Sequence, residues 1–200
     1  MPSQSLFVTQ LYTASLDAAD LLDDLIHSCE SLARDDRAGR AWAKEHDYQG
    51  YTSYASLNDL PVRDPAFADL RRVLDRHVKR FGRDCGFDPG QRRLKLDSIW
   101  VNILKPGGHH SGHIHPHSAV SGTLYLAVPP GAGALRLEDP RLGLMMAAPR
   151  RDPEALPGLQ SFVTLAPQPG TLYLWESWLR HDVLPHRGKG ERISISFNYS

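Results

Sequence analysis

Residues 109–125 read HHSGHIHPHSAVSGTLY and hold five of the chain's ten histidines, all between His109 and His117. If residues 113–115 form a strand, the alternation of side chains puts His113 and His115 on one face and Ile114 on the other. Two imidazoles in this arrangement can bind one metal ion, but the site needs a third ligand. We expect this third ligand to be His181. A histidine-rich tract can bind metal adventitiously. Its position between β-prone segments favours a specific site.

Composition restricts the classes of function. The 200 residues carry 23 basic and 23 acidic side chains. This balance gives no excess of positive charge of the kind that binds nucleic acid or an anionic membrane. No apolar run is long enough to span a bilayer, and the N-terminus does not resemble a signal peptide. The two cysteines, Cys29 and Cys85, have no motif spacing. We therefore predict a cytoplasmic chain without a disulfide, and we read Cys29 as a core residue.

Two amphipathic helices are predicted in the first half of the chain. Residues 16–33 repeat apolar side chains at helical spacing, with Ser15 as the N-cap. A second helix begins with Asp64 as N-cap and Pro65 in its first turn, and ends near residues 82–86. Residues 6–11 are predicted to form an opening strand, and residues 35–50 to be irregular.

Three tyrosines, Tyr48, Tyr51 and Tyr54, lie at the end of the segment that is predicted to be irregular and just after it. Clustered aromatic residues can pack against a core or line the mouth of a substrate cavity. We favour packing for all three.

From residue 94 onward the pattern becomes that of short strands separated by turns. Strands are predicted over residues 94–104, 123–128, 134–138, 162–165, 171–175 and 192–198, with a long loop over 139–158. The 15 prolines and 16 glycines suit many short connections. The fold class predicted is mostly β: a double-stranded β-helix (a cupin-like jelly roll) with two N-terminal α-helices packed on it. We expect one domain over residues 1–200, with a helical part to about residue 90 and a metal-binding barrel over about 94–200.

The last strand, RISISFN (192–198), alternates strictly. Arg192, Ser194, Ser196 and Asn198 share one face, and apolar side chains share the other. Arg192 offers a planar fork that matches a carboxylate, and Ser194 can add a hydroxyl donor to the same group. A half-exposed strand whose polar face meets water would show the same pattern.

These motifs together resemble the 2-oxoglutarate- and Fe(II)-dependent oxygenases, and within them a group of small enzymes of unknown substrate. The matching pieces run densely from Trp100 to Asn198 and include WVNILKPG, HIHPHSAVSGTLYL, LEDPR, PGTLYLWESWLRHDV and ERISISFN, with GYTSY upstream. The resemblance implies a double-stranded β-helix with iron at its open end, and a reaction that turns 2-oxoglutarate and dioxygen into succinate and carbon dioxide while a substrate is hydroxylated.

The resemblance also implies site residues. The metal ligands, and hence the catalytic centre, would be His113, His115 and His181. Arg192 and Ser194 would meet the far carboxylate of 2-oxoglutarate. Asn102 and Tyr125 would point into the same space and touch 2-oxoglutarate, or else serve as satisfied polar core residues. Trp175 and Trp178 are read as wall and packing residues.

One departure from the family pattern bears on the metal. The superfamily usually carries a carboxylate where this chain has His115. Three neutral imidazoles leave the full charge on Fe(II) and resemble a three-histidine zinc site, so zinc or another divalent ion stays open as the metal. Four other side chains could supply a carboxylate or imidazole ligand but rank below His115: His117, Glu138, Asp139 and Asp182.

Two other functions remain open. A cupin-type metalloenzyme would not use 2-oxoglutarate. Gly107 before the histidine pair resembles the first cupin motif, but Ala119 and Val120 stand where a glutamate is expected. A non-catalytic metal- or ligand-binding module would keep the pocket with altered ligands. The substrate, a small molecule or a protein side chain, cannot be argued from fold. No nucleic-acid or membrane partner is predicted, and a homodimer is left open.

Overall fold

The chain forms two antiparallel sheets with helices on one side, in a computed structural model that describes residues 3–88 and 93–200. A six-stranded sheet has the order β1-β8-β5-β10-β3-β2, and a four-stranded sheet has the order β4-β9-β6-β7. The strands are β1 (Leu11–Ser15), β2 (Gly50–Thr52), β3 (Leu96–Leu104), β4 (His110–His113), β5 (Val120–Ala127), β6 (Leu135–Glu138), β7 (Phe162–Leu165), β8 (Thr171–Glu176), β9 (His181–Val183) and β10 (Arg192–Tyr199).

Strand β10 lies at the centre of the large sheet, between β3 and β5. Because its side chains alternate strictly, β10 presents apolar side chains to one buried surface and polar side chains to another. Ile193, Ile195 and Phe197 join the main apolar core, while Arg192 and Ser194 face the space between the sheets and are also buried. The surface-strand interpretation of this polar face is wrong, because the face lines the cavity between the two sheets and most of its side chains are buried.

Four α-helices occur in the described chain, where the sequence predicted two: α1 (Ala19–Asp35), α2 (Arg37–Glu45), α3 (Leu60–Arg63) and α4 (Pro65–Asp84). Two short 3-10 helices, Leu142–Leu144 and Pro157–Leu159, follow β6. The long helices α1 and α4 match the two predictions. Asp64 caps α4 as expected, since its carboxylate accepts a hydrogen bond of 2.8 Å from the amide of Ala66.

Three local predictions are wrong. The first strand covers Leu11–Ser15, because residues 6–8 are exposed and pair with nothing described. Ser15 ends that strand, and the N-cap of α1 is Ala18, with no side-chain hydrogen bond. Residues 35–50 contain the helix α2, whose cap Asp36 accepts from the amide of Gly39.

The helices cover the outer face of the large sheet. One apolar cluster joins Leu25 of α1 and Phe67 of α4 to Ile99, Leu124 and Ile195 of the sheet, and Cys29 lies within it, as predicted. A second apolar cluster lies between the two sheets and includes Leu104, Leu135, Trp175 and Val183. The described helices include none that is long and apolar enough to cross a membrane. The predicted boundary near residue 90 falls in residues 89–92, outside the described residues.

Candidate active site

Three histidines converge between the sheets. His113 on β4 pairs directly with His181 on β9, so the two imidazoles face each other across neighbouring strands with ring centroids 4.4 Å apart. His115 lies two residues beyond the end of β4, and its amide donates to the carbonyl of Ser177 at 3.0 Å. One ring nitrogen of each histidine lies within 4.8 Å of those of the other two. The predicted strand over residues 113–115 stops at His113, but the two histidines still converge.

Backbone carbonyls orient two of these rings. Nδ1 of His113 is 2.7 Å from the carbonyl oxygen of Ser111, and Nδ1 of His181 is 2.9 Å from that of Leu179. A carbonyl can only accept, so each Nδ1 carries the proton and each Nε2 presents a free lone pair. Burial lowers the pKa of His181 to about 3, and burial together with the nearby His113 lowers that of His115 to about 4. Both are therefore neutral at pH 7, which is the form that binds metal.

The other candidate ligands are engaged elsewhere. Asp182 forms a forked ion pair with Arg136, and Glu138 accepts from Arg180 at 3.1 Å. Asp139 pairs with Arg141, and the exposed His117 stands outside the three-histidine group. The physical reason is register: Asp182 and Glu138 sit on the strand faces that turn away from the space between the sheets.

A buried guanidinium lies in the same cavity as the three histidines. This cavity measures about 780 Å³, and Arg192 in its wall is only 1% exposed. Nη1 of Arg192 donates to the hydroxyl of Ser194 at 3.3 Å, and its Cζ lies 4.7 Å from the centre of the Tyr125 ring. Arg192 forms no ion pair with any described residue, and its Nε has no hydrogen-bond partner among them.

An unpaired buried cation is costly, so an anion placed beside Arg192 would be stabilised. The hydroxyl of Tyr125 also lacks a partner among the described residues. Burial raises the pKa of Tyr125, with the positive charge of Arg192 as a partial offset, so the phenol stays protonated as a donor. Arg192, Ser194 and Tyr125 therefore present convergent donors that a carboxylate would satisfy.

Asn102 and Tyr48 belong to the wall of this pocket. The amide oxygen of Asn102 accepts from Thr52 at 3.0 Å, and its nitrogen donates to Ser196 at 3.1 Å. The Tyr48 hydroxyl lies 2.8 Å from Nε2 of His110 and 3.4 Å from the Asn102 oxygen. Burial and the charge of Arg192 lower the pKa of His110 to about 3, so this imidazole is neutral.

The sequence interpretation missed several lining residues. Tyr51 is buried in the main core as expected, and Tyr48 packs against the second apolar cluster as well as lining the cavity. The packing assignment is wrong for Tyr54, which is exposed and lines the cavity. His110 was not singled out, although it begins the strand that carries His113. Trp175 is a wall residue as expected: it packs its ring edge-on against His181 at 4.7 Å. Its indole N–H, however, has no partner among the described residues.

Two facing antiparallel sheets and a three-histidine group that could hold a metal ion are features of jelly-roll metalloproteins. A family model described as "Putative 2OG-Fe(II) oxygenase" matches residues 98–198, half of the chain. The chain belongs to this family of 2-oxoglutarate- and Fe(II)-dependent oxygenases, and the enzyme class and cofactors expected from the sequence are confirmed at that level. A comparison with curated proteins found no match.

Solved structures share the fold. A prolyl-4-hydroxylase from Pseudomonas putida superposes with a TM-score of 0.62 at 16% identity, over 96% of this chain and 92% of that one. The epimerase SnoN, crystallised with Fe3+ and alpha ketoglutarate, gives 0.67 at 14% identity, over 96% and 78%. HygX from Streptomyces hygroscopicus, with nickel and 2-oxoglutarate bound, gives 0.63 at 16% identity, over 96% and 82%. At these identities the likeness shows the fold alone, and it confirms the predicted jelly roll.

Proposed function

We propose that this protein is a 2-oxoglutarate-dependent dioxygenase in which His113, His115 and His181 hold Fe(II). The observation that carries the proposal is the unpaired, buried Arg192 in the same cavity as these three histidines. A metal site alone fits many chemistries. When a metal site and an unpaired guanidinium share one pocket, the pocket fits a ligand that chelates the metal at one end and carries a carboxylate at the other.

The residues present fit both groups. Two rings have their Nδ1 atoms bound to carbonyls, so their Nε2 lone pairs are available to a cation without rearrangement of the proton. Arg192, Ser194 and Tyr125 would bind the far carboxylate of 2-oxoglutarate, with the guanidinium supplying charge-assisted hydrogen bonds. Asn102 stays a predicted contact; its two hydrogen bonds to Thr52 and Ser196 suit a wall residue that fixes the pocket's shape.

When bound, iron and 2-oxoglutarate supply the activation of dioxygen and the oxidation of the substrate. The chain's own residues bind and orient these groups and exclude water. Trp175, Leu135 and Val183 form an apolar wall beside the histidines, which lowers the local dielectric and strengthens every charge interaction in the pocket. His115 in place of a carboxylate leaves the metal's charge uncompensated, so zinc or another divalent ion stays a candidate in place of iron.

The substrate is a small molecule or a protein side chain, because the cavity is large enough for either beside the co-substrate. The balanced charge gives no support to a nucleic-acid partner. We also propose a cytoplasmic location, which the two free cysteines, Cys29 and Cys85, support.

The experiment adds 2-oxoglutarate to the anaerobic Fe(II) protein and records the visible metal-to-ligand charge-transfer absorption. Succinate is then measured in air. We expect Arg192→Ala to weaken 2-oxoglutarate binding by about 2–5 kcal/mol, since a buried carboxylate loses its charged partner. Lys105→Ala is the matched control, because Lys105 is an exposed cation whose ion pair is with Glu191 at 3.9 Å.

Three outcomes decide the proposal. No absorption and no succinate from the unmutated protein would overturn it and leave the cupin-type enzyme or the binding module. Normal binding by a folded Arg192→Ala would keep the enzyme but move the anchor to another cation. Circular dichroism of each variant separates lost binding from lost folding, and Arg192→Lys, which keeps the charge, should retain part of the affinity.

A further inference from the structure

The cavity continues past the three histidines to an aromatic corner at its mouth. Trp100 on β3 lies with its ring centroid 5.8 Å from that of His115. Tyr54 stands edge-to-face against Trp100, with centroids 5.2 Å apart and ring planes at 72°. Both rings line the cavity; Trp100 is only 8% exposed, whereas Tyr54 is 62% exposed. The corner therefore places the exposed Tyr54 ring, backed by the largely buried Trp100 ring, next to the proposed metal ligands.

A β-bulge brings an acidic side chain to the same mouth. Strands β3 and β10 pair Ser98 with Asn198, but the next pair is Leu96 with Tyr199, so Asp97 is an extra residue. Regular alternation would put Asp97 and Ser98 on opposite faces, and the bulge allows both to line the cavity. Asp97 is exposed and forms no ion pair with another described residue.

The charges that line the cavity are arranged unevenly. Apart from the histidines, the charged side chains among the described lining residues are Arg192, which the proposed co-substrate would neutralise, and Asp97 at the mouth. Uncharged polar residues also line the cavity, namely Ser98, Ser118, Ser196 and Asn198, and the exposed lining residues include the apolar Ile114 and Pro116. A substrate in this cavity meets hydroxyl and amide groups, the exposed Tyr54 ring beside Trp100, a few apolar side chains and the negative charge of Asp97.

We propose that the substrate is a polar small molecule with a cationic nitrogen, an ammonium or guanidinium, that docks in the corner formed by Tyr54 and Trp100. A cation is attracted to the faces of Trp and Tyr rings by their quadrupole, and Asp97 adds a direct charge attraction. An anionic substrate would face Asp97 without a described cation at the mouth. The inference rests on the proposed function only in naming the ligand a substrate, because cation binding in the corner needs neither metal nor 2-oxoglutarate.

Three probes of one shape and different charge test the proposal: choline, its uncharged isostere 3,3-dimethylbutan-1-ol, and the anion 3,3-dimethylbutanoate. Binding is followed by calorimetry on the full chain, with and without Zn(II) and 2-oxoglutarate. We expect choline to bind about 3- to 30-fold more tightly than the uncharged isostere, and the anion to bind weakest. Tyr54→Leu and Asp97→Asn should each reduce this preference.

Matched controls are available outside the cavity. Trp178→Leu removes an exposed aromatic ring that is not among the lining residues, and Asp24→Asn removes an exposed acid of α1. Both should leave the preference for choline unchanged. Equal affinity for choline and the isostere, tighter binding of the anion, absence of saturable choline binding, or a preference that survives both mouth variants would each overturn the proposal. Choline binding without any 2-oxoglutarate binding would instead refute the proposed function and keep the cation site.

Discussion

His115 is the residue that most distinguishes this site, because the superfamily pattern places a carboxylate there. The three imidazoles are held by different means: His113 and His181 by backbone carbonyls, and His115 by its place just past β4 and by the neighbouring Trp100 ring. The acids that rank as alternative ligands, Asp182, Glu138 and Asp139, are paired with arginines, and Asp97, which lines the cavity, lies outside the three-histidine group. The all-imidazole set should therefore favour zinc relative to iron more than the usual set does.

Substitution of His115 by aspartate tests this metal preference. We expect His115→Asp to lower the ratio of zinc affinity to Fe(II) affinity by more than about tenfold. Mutations of outer-shell partners, which do not touch the metal, already change metal affinity by about tenfold or more. Anaerobic competition between the two ions, read by elemental analysis after dialysis, measures the ratio. His117→Asp is the control, because His117 is exposed and stands outside the three-histidine group. An unchanged ratio in His115→Asp would show that this position does not ligate the metal.

At the scale of elements, α2 is the helix that the sequence pattern did not predict. Its cap Asp36 accepts from the Gly39 amide at 2.9 Å and from the Tyr51 hydroxyl at 2.9 Å, and also from Ser56. Tyr51 and Ser56 come from outside the helix, so one carboxylate joins α2 to β2 and to the turn that follows. A nine-residue polar helix is marginal alone and depends on such tertiary bonds.

Loss of the Asp36 charge should destabilise the protein in a pH-dependent way. Burial acts to raise the pKa of Asp36, but the hydrogen bonds from Gly39, Ser56 and Tyr51 outweigh it and hold the pKa below its usual value. The charged form thus stabilises the fold above the unfolded value of about 3.9, and the contribution is lost as the pH falls through the lower folded value. We expect Asp36→Asn to lower the free energy of unfolding by about 1–2 kcal/mol at pH 7 and by much less near pH 3.

Urea unfolding at the two pH values measures this difference. Asp35→Asn is the matched control, since Asp35 is exposed and only 3.9 Å from the exposed Arg34. The control should change stability little at either pH. The capping argument would fail if Asp36→Asn destabilised the protein equally at both pH values.

At the scale of the whole molecule, the helices and sheets share one core. Leu25 of α1 and Phe67 of α4 are fully buried in the same apolar cluster as Ile99 and Ile195 of the large sheet. The helical part cannot leave the sheet without exposing this cluster to water. The single domain predicted from the sequence therefore stays a prediction with a physical basis.

We expect one cooperative unfolding transition. Helix content read by far-UV circular dichroism and fluorescence from the tryptophans, three of which lie at or after Trp100, should give coincident curves. Leu25→Ala should shift both curves together, with a loss of about 2–5 kcal/mol, because the cavity it leaves is shared by helix and sheet. Separate midpoints for the two probes would divide the chain into two domains.

The sequence by itself determined the features whose cause is local. Strict alternation predicted β10, the Asp64-Pro65 start predicted α4, and the histidine spacing pointed to part of the three-histidine group. Only the tertiary structure decided which distant residues meet: His113 opposite His181, Tyr48 and Tyr54 in the cavity wall, Asp97 turned inward by a bulge, and α2 capped through Tyr51. Periodicity is a property of neighbouring residues, whereas strand register and the contacts across it depend on how separated segments bury their apolar faces together.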